Sequence, residues 1–244
     1  MKNLSISLKA SGSSFSLSYH YHIQGFIYKL LSGNKDYSDF LHENGYMIDG
    51  KTYKLFTFSS LRGPKTIRKD YMYFPDFVFL DIRSVSDVFS DCLAQELEKH
   101  KSVEIMENIL SVRDVQIRQP EIKDDSISIT FLSPVTAHIS LGDSGQTEFL
   151  TPFDPRFEKH IDHNFRRKYK AYYDSDPDSG VLLQAEKISR KDKYVTWFKK
   201  SHITGWRGLY RLSGSAEYLT FLYYTRLGSY NSAGFGMFSV EEKA

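Results

Sequence analysis

The first half of the chain combines two apolar periods. Leu4, Ile6 and Leu8 alternate with polar residues, which predicts a strand with one buried face. A spacing of three and four residues then predicts a helix that ends near Gly33, with an apolar stripe of Ile23, Phe26, Ile27, Leu30 and Leu31. The same patterns predict a short helix over 36–44, strands over 54–60 and 77–82, a helix over 85–100 and a strand over 103–117. The predicted order is β-α-β-β-α-β.

The second half repeats this order without visible sequence similarity to the first. The pattern predicts a strand over 126–132, a helix over 154–173 with Asp154 as N-cap, and a strand over 181–188. Residues 194–212 add a second strand, or a hairpin with 181–188, followed by a helix over 215–226 and a strand over 235–240. We therefore predict an α+β protein of two tandem ferredoxin-like domains, 1–119 and 120–244, with the boundary near Pro120 and Lys123–Asp125.

Composition narrows the chemistry only slightly. Of the 244 residues, 41% are hydrophobic and 25% are charged, as in ordinary globular proteins. No apolar run reaches the ~18 residues that a membrane span needs, so we expect a cytoplasmic protein without a membrane partner. The single cysteine, Cys92, excludes an internal disulfide and a cysteine-based zinc site. His20 and His22 are expected at the surface, and their spacing on a helix is wrong for holding one metal ion together.

A glycine-rich loop, residues 226–236, separates the last predicted helix from the last strand. Gly228, Gly234 and Gly236 permit tight backbone paths there, and the backbone N–H groups could face phosphates or base edges. Nucleotide-binding glycine loops open a helix instead of preceding a strand, so this loop does not match them. The residues alone fit a ligand-binding loop and an ordinary connection equally well.

The loop and several other stretches resemble one family. Leu227-Gly228, five further residues and Gly234-Phe235-Gly236 resemble the C-terminal loop of the CRISPR repeat-RNA processing endoribonucleases, a branch of the RAMP superfamily. The resemblance extends over nearly the whole chain through four more segments: Ile23-Gln24-Gly25-Phe26-Ile27-Tyr28, Phe40-Leu41-His42, Lys54-Leu55-Phe56-Thr57-Phe58-Ser59 and Ile203-Thr204-Gly205-Trp206-Arg207-Gly208.

The resemblance implies a fold, a reaction and a substrate. The fold would be two RRM-related ferredoxin-like domains, and the activity would be cleavage within CRISPR repeat RNA, leaving a 5′-hydroxyl and a cyclic phosphate. It implies no cofactor and no metal, and it allows other CRISPR effector-complex proteins as partners. RNA would contact the loop at Gly228, Gly234, Phe235 and Gly236, so a side chain at Gly234 should weaken RNA binding while the fold survives. Arg226 replaces the first glycine of the family pattern, and we expect it to contact phosphate.

His42 is the principal candidate for catalysis. It lies off the apolar face of the short helix, so the residues alone fit a surface histidine near a helix end or a catalytic group. The resemblance implies that His42 is a general base that deprotonates the RNA 2′-hydroxyl, which then attacks the adjacent phosphate. It also implies that Tyr28 assists, together with a lysine that is either Lys51 or Lys54 and stabilises charge on the phosphate oxygens.

Basic residues are the expected source of RNA affinity, because the net charge is only +2. We expect Arg62, Lys65 and Arg68, in a loop marked by Gly63-Pro64, to contact phosphates. Two further basic runs occur at Arg166–Lys170 and Lys199-Lys200. Each run can also be read as a solvated surface.

Two other functions compete with the endoribonuclease. One is a non-catalytic RNA-binding scaffold of a CRISPR effector complex, since the same fold needs no catalytic histidine to bind RNA. The other is a two-histidine phosphodiesterase, because His138-Ile139-Ser140 and His202-Ile203-Thr204 are similar to the paired motifs of those enzymes.

Overall fold

A computed structural model describes residues 1–141, 146–199 and 201–241 of the chain. Lys200, part of the last basic run, lies outside the described residues. Within the described ranges, no helix is long and apolar enough to cross a membrane.

The first part of the chain runs through three α-helices, a π-helical turn and strands of very different length. In chain order its elements are β1 (Lys2–Lys9), β2 (Ser13–Ser16), α1 (His20–Leu31), α2 (Lys35–Asp39), the π-helical turn (Phe40–Asn44), β3 (Tyr46–Ile48), β4 (Lys51–Tyr53), β5 (Phe56–Phe58), β6 (Thr66–Arg68), β7 (Tyr71–Phe74), β8 (Phe77–Ser84), α3 (Asp87–Lys99), β9 (Ser102–Ile105) and β10 (Asn108–Arg118).

Within its described residues, the second part has two α-helices and two short 3-10 turns. Its elements are β11 (Ser126–Phe131), β12 (His138–Leu141), β13 (Gln146–Phe149), α4 (Pro155–Tyr173), β14 (Leu182–Lys187), a 3-10 turn (Arg190–Asp192), β15 (Lys193–Phe198), β16 (Ser201–Trp206), β17 (Leu209–Ser213), α5 (Ala216–Thr225), a 3-10 turn (Asn231–Ala233) and β18 (Phe238–Val240).

Each part is built on one antiparallel sheet with the same strand order. The first sheet is ordered β5-β8-β1-β10-β9 and the second β14-β17-β11-β18. When β9 is left out, the two sheets have the same order. The fourth strand of each β-α-β-β-α-β unit (β10 or β18) lies beside the first strand (β1 or β11), and the third strand (β8 or β17) lies on the other side of the first. This is the ferredoxin-like arrangement, so the predicted fold class is confirmed. The division at residues 119 and 120 stays a prediction.

The apolar periods are satisfied by two buried cores. Leu4, Ile6 and Leu8 of β1 are at most 1% exposed and pack with α1 and α3 beneath the first sheet. The second core lies between α4, α5 and the second sheet, and it also receives Leu55 and Val85 from the first part of the chain. Asp154 caps α4 as predicted, because its side chain accepts a hydrogen bond from the backbone N–H of Arg156 at 2.9 Å.

Three predicted segments differ from the structure. Residues 103–117 are an antiparallel hairpin of β9 and β10 instead of one strand, because Met106 adopts a positive φ of 58° and reverses the chain. Residues 194–212 form three strands, β15, β16 and β17. The loop after Gly63-Pro64 contains the two-stranded ribbon of β6 and β7. The exposed outer side of this ribbon gives no alternating apolar signal, so the sequence pattern predicts no strand there.

Candidate active site and nucleic-acid interface

His42 lies on the π-helical turn Phe40–Asn44, called the His42 turn below. The preceding α2 is capped by Asn34, whose side chain accepts a hydrogen bond from the N–H of Tyr37 at 3.1 Å. Leu41 is completely buried, whereas the neighbouring His42 is exposed. Gly45 ends the turn by donating its N–H to the carbonyl of Phe40 at 2.7 Å. Single-turn π-helices often occur at functional sites, and this one anchors its core residue while presenting an imidazole to solvent.

Tyr28 and Lys54 are the predicted residues that lie beside His42. The ring of Tyr28 is 5.6 Å from that of His42, centre to centre, and packs edge-on against Phe56 at 5.9 Å. Burial raises the pKa of Tyr28, so its hydroxyl stays protonated and can donate a hydrogen bond. The ammonium group of Lys54 donates to the carbonyl of His42 at 3.1 Å and to that of Leu41. Partial burial lowers the pKa of Lys54.

Lys51 is the first residue of β4. It lines a cavity of about 290 Å³ between the β3–β4 hairpin and the second part of the chain, together with His138 and Gly228. The pKa of His138 is lowered first by burial and then by the positive charge of Lys51. Lys54 also lines this cavity, so the two lysines link the surroundings of His42 to those of His138.

The glycine-rich loop packs inside the protein. Gly234 has φ +85°, and a Cβ atom there would collide with the ring of Phe58 from β5. Gly236 has φ +79°, and a Cβ atom there would collide with the carbonyl of Leu227. Close approach of the protein itself therefore explains both glycines. A side chain at Gly234 is therefore expected to cost stability, and its effect on RNA binding stays a prediction.

Phe235 and His20 form the centre of this packing. The ring of Phe235 is fully buried and stacks on His20 at 4.8 Å with an interplanar angle of 14°, so it does not face RNA as expected. His20 is fully buried too, which corrects its predicted surface location; its Nδ1 lies 2.9 Å from the carbonyl oxygen of Ala233. Burial lowers the pKa of His20 to about 4. The apolar periods could not reveal this pairing, because it joins residues more than 200 positions apart.

Arg226 is also buried, so the expected phosphate contact is wrong for the structure as it stands. Its side chain is 0% exposed and donates from Nη1 to the carbonyl oxygen of Tyr223 at 2.5 Å. Arg83 donates to the same carbonyl at 3.4 Å. The chain leaves α5 with φ +78° at Arg226, and the guanidinium lies in the interior next to Arg83. Burial and the neighbouring charge of Arg83 lower the pKa of Arg226.

The three basic residues after β5 have different surroundings. Arg62 is ion-paired with Asp81, so part of its charge is already compensated. Lys65 donates to the carbonyl of Leu61 at 3.2 Å, and its ammonium lies 5.5 Å from the centre of the Phe74 ring. Arg68 is exposed on β6. Phosphate contacts by these three residues stay a prediction, and of the three Lys65 and Arg68 are exposed.

The paired His-x-Ser/Thr motifs lie on different strands, and their histidines have different ring partners. His138 lies on β12 and contacts the rings of Phe149, His160 and Tyr230. His202 lies on β16, in another two-stranded sheet, and packs on Trp197 at 3.5 Å. Within the described part of the chain, the two histidine rings make no contact with each other, and a two-histidine phosphodiesterase stays an untested alternative.

Sequence reasoning missed a cluster around His160. The Nε2 atom of His160 lies 3.0 Å from the hydroxyl of Ser229 in the glycine-rich loop, and its ring is 5.9 Å from that of His138. The pKa of His160 falls to about 4, first because of burial and then because of nearby His138 and other cationic groups. His138 was visible in the sequence, but nothing in the pattern joined it to His160 on α4.

The protein consists of two ferredoxin-like units in tandem. The first unit carries an exposed histidine, and the second has a packed glycine-rich loop between its last helix and its last strand. Together these features define a class of two-domain proteins. A family model described as the C-terminal part of the CRISPR associated protein Cas6 matches residues 117–240, half of the chain. The chain therefore belongs to the Cas6 family, and the resemblance noted from the sequence is confirmed.

Individual relatives agree with this assignment. The CRISPR-associated endoribonuclease Cas6 of Pyrococcus furiosus is 25% identical over 91% of this chain and 82% of its own length. The CRISPR-associated endoribonuclease Cas6 1 of Methanocaldococcus jannaschii is 26% identical over 92% of this chain and 87% of its own. A solved RAMP protein that binds different RNA substrates is similar in fold, with a TM-score of 0.83 over 99% of this chain and 100% of its own at 19% identity.

Proposed function

We propose that this protein is an endoribonuclease that cleaves CRISPR repeat RNA. The proposal rests chiefly on the exposed imidazole of His42, which lies beside Tyr28 and Lys54 in a chain of the Cas6 family. Both curated relatives described above are endoribonucleases, which supports the same activity here. The cytoplasmic location belongs to the same proposal, because the substrate is a transcript.

The reaction uses a nucleophile supplied by the RNA. His42 removes the proton of a 2′-hydroxyl, and that oxygen attacks the adjacent phosphorus. The bond from phosphorus to the 5′-oxygen breaks, and this oxygen takes up a proton. The products are a 2′,3′-cyclic phosphate on one fragment and a 5′-hydroxyl on the other.

Tyr28 and Lys54 have separate roles in this proposal. The protonated hydroxyl of Tyr28 donates a hydrogen bond to a non-bridging phosphate oxygen as negative charge develops there. Lys54 holds the end of the His42 turn through the carbonyl groups of Leu41 and His42, and its charge lies near the same phosphate. Lys54 is thus chiefly a positioning residue, while Lys51 lies in the neighbouring cavity.

The proposed RNA contacts lie at the His42 turn and on exposed surface residues outside the packed loop. Exposed cations such as Arg68 give sequence-independent affinity by releasing counterions from phosphates. Association with other CRISPR effector-complex proteins stays a prediction.

Metal independence is part of the proposal. Among the described residues, no group of three His, Cys, Asp or Glu side chains is arranged to hold an ion, and the proposed attack by the 2′-hydroxyl requires none. Repeat RNA should be cut in excess EDTA. Loss of cutting in EDTA, with recovery on adding a divalent ion, would contradict this part.

The decisive experiment uses an altered substrate. A repeat RNA with one 2′-deoxy substitution immediately 5′ of the cut should bind and stay intact, because the nucleophile is missing while the backbone charge is kept. Unmodified RNA is the control. Normal cutting of the modified RNA would make water the nucleophile and remove the proposed role of His42. Binding of unmodified RNA without any cutting would identify a scaffold instead.

A further inference from the structure

The cavity of about 290 Å³ beside the glycine-rich loop carries chemistry that the proposed reaction does not use. It lies between the β3–β4 hairpin, which contributes Lys51, and a wall that includes His138, Asn164 and Tyr230. Its size is close to the lower end of ~300–1,000 Å³ for small-molecule sites, which suits one small planar group better than a large ligand.

Two polar atoms of the cavity-lining residues are buried without a partner. The Nδ1 atom of His138 and the Oδ1 atom of Asn164 make no hydrogen bond to any described part of the chain. Two polar side chains nearby are paired: Lys168 donates to Asn231 at 3.2 Å, and His160 lies 3.0 Å from the Ser229 hydroxyl. Buried polar groups normally find partners, and a ligand in the cavity can supply them here once the His138 and Asn164 side chains turn towards it.

The remaining wall offers an aromatic face and a cation. The rings of Tyr230 and His138 lie 4.9 Å apart at 33°, and Tyr230 is held in a left-handed backbone conformation with φ 56°. Burial lowers the pKa of His138, so its ring is neutral near pH 7 and can donate or accept a hydrogen bond. Lys51 provides a positive charge at the same cavity. Unpaired RNA bases are bound by such combinations of stacking, edge hydrogen bonds and phosphate contacts.

We propose that this cavity binds one unstacked nucleotide of the RNA substrate, with its base against Tyr230, its edge hydrogen-bonded by Asn164 and His138, and its phosphate beside Lys51. The choice of RNA as the ligand rests on the proposed function. Lys54 lines the cavity and also contacts the carbonyl of His42, so the bound nucleotide lies close to the scissile phosphate. The cavity would thereby set the position of the cut through a base-specific contact.

The first test measures binding without any cleavage. The four ribonucleoside 3′-monophosphates are titrated into the full chain, and the imidazole signals of His138 and His160 are followed by nuclear magnetic resonance. At least one nucleotide should shift these signals saturably, and inorganic phosphate should not reproduce the shift. Equal shifts with phosphate alone, or no shift with any nucleotide, would overturn the proposal.

Asn164→Ala separates binding from structure. The Oδ1 atom of Asn164 has no partner among the described residues, so the variant should keep the unfolding midpoint of the wild type while its affinity for the preferred nucleotide falls at least about tenfold. Gln184→Ala, which truncates an exposed side chain on β14, is the matched control and should bind as the wild type. Unchanged nucleotide affinity in Asn164→Ala would contradict the proposal.

The second test locates the nucleotide in the RNA. A repeat RNA blocked by 2′-deoxy substitution receives one abasic site at a time, and its dissociation constant is measured. One abasic position near the cut should weaken wild-type binding about tenfold and have little further effect on Asn164→Ala. Equal losses in both proteins at every position would overturn the cavity assignment. Cleavage of unmodified RNA is scored separately, so a chain that binds nucleotides and cuts nothing would contradict the proposed function and leave the cavity standing.

Discussion

The His42 turn and the glycine-rich loop differ in what surrounds their side chains. On the turn, Leu41 is anchored in the core while His42 projects into solvent beside Tyr28. In the loop, Phe235 is fully buried against His20, and Gly234 is pressed against Phe58. The turn therefore presents an imidazole to solvent, whereas the loop joins the two ferredoxin-like units and shapes the cavity beside it. Loop glycines are required here by the protein's own packing.

Replacing His42 should produce the largest effect. General acid–base groups contribute roughly 10²–10⁴-fold to rate, so His42→Ala should lose about that much cleavage activity. RNA affinity should be nearly unchanged, because it depends mainly on phosphate and base contacts elsewhere. Single-turnover cleavage and a binding titration measure the two quantities.

His22→Ala is the matched control for this change, since His22 is an exposed histidine on α1. It should cut at the wild-type rate. If His42→Ala cuts RNA at a rate within twofold of the wild type, the exposed imidazole is not the base. The His42 turn would then differ from the loop only in exposure and not in catalysis.

Gly234→Ala tests the loop in the opposite way, through stability. The left-handed φ and the collision with Phe58 should together lower the free energy of unfolding by about 2–4 kcal/mol. Gly25→Ala is the control, because the position is helical and open, and alanine there should raise the free energy of unfolding by up to about 1 kcal/mol. Urea denaturation measures both. A Gly234→Ala protein of wild-type stability that no longer binds RNA would restore the original reading of this glycine as an RNA contact.

The apolar periods were sufficient for the repeated fold and for the exposure of His42. They depend on local burial, and the strands and helices that carry them pack on their own sheets. The contacts of His20 with Phe235, and of Gly234 with Phe58, depend instead on how the two units meet. No periodicity within either unit records that geometry, so Arg226 and Phe235 were expected to face RNA.

Sequence patterns also failed to distinguish the two lysines, although these residues are close together in the chain. Lys51 and Lys54 are three residues apart, and both could follow a catalytic histidine in sequence. The short strand β4 and the turn that follows direct Lys54 to the carbonyl of His42 and leave Lys51 at the cavity with His138. Side-chain direction in such short irregular segments depends on tertiary contacts and has no sequence pattern of its own.

Acid should weaken the packed loop through His20. Burial lowers the folded-state pKa of His20 to about 4, while the unfolded chain has the ordinary value of 6.5. The unfolded state therefore binds the extra proton first, and the stability present above pH 6.5 is lost as the pH falls towards 4. One pKa unit corresponds to about 1.4 kcal/mol, so the loss from this group approaches about 3 kcal/mol. Urea denaturation between pH 4 and 7 measures it.

His20→Phe is the informative variant for this pH dependence. Phenylalanine keeps the stacking on Phe235 but cannot take up a proton, so the stability curve should be flatter below pH 6.5. A remaining slope is expected from His138 and His160, whose pKa values are also lowered mainly by burial. An unchanged curve would show that acid acts elsewhere.

The smallest expected effect separates Lys54 from Lys51. Lys54→Met removes the ammonium that holds the carbonyl groups at the end of the His42 turn, and kcat should fall roughly tenfold, about 1.4 kcal/mol. Lys54→Arg should recover part of this loss because it keeps the charge. Lys51→Met should raise KM instead and should reduce the slope of log affinity against log salt by about 0.7, as expected for one lost phosphate contact to single-stranded RNA. A larger fall in kcat for Lys51→Met than for Lys54→Met would reverse the two roles and move the catalytic charge to the cavity.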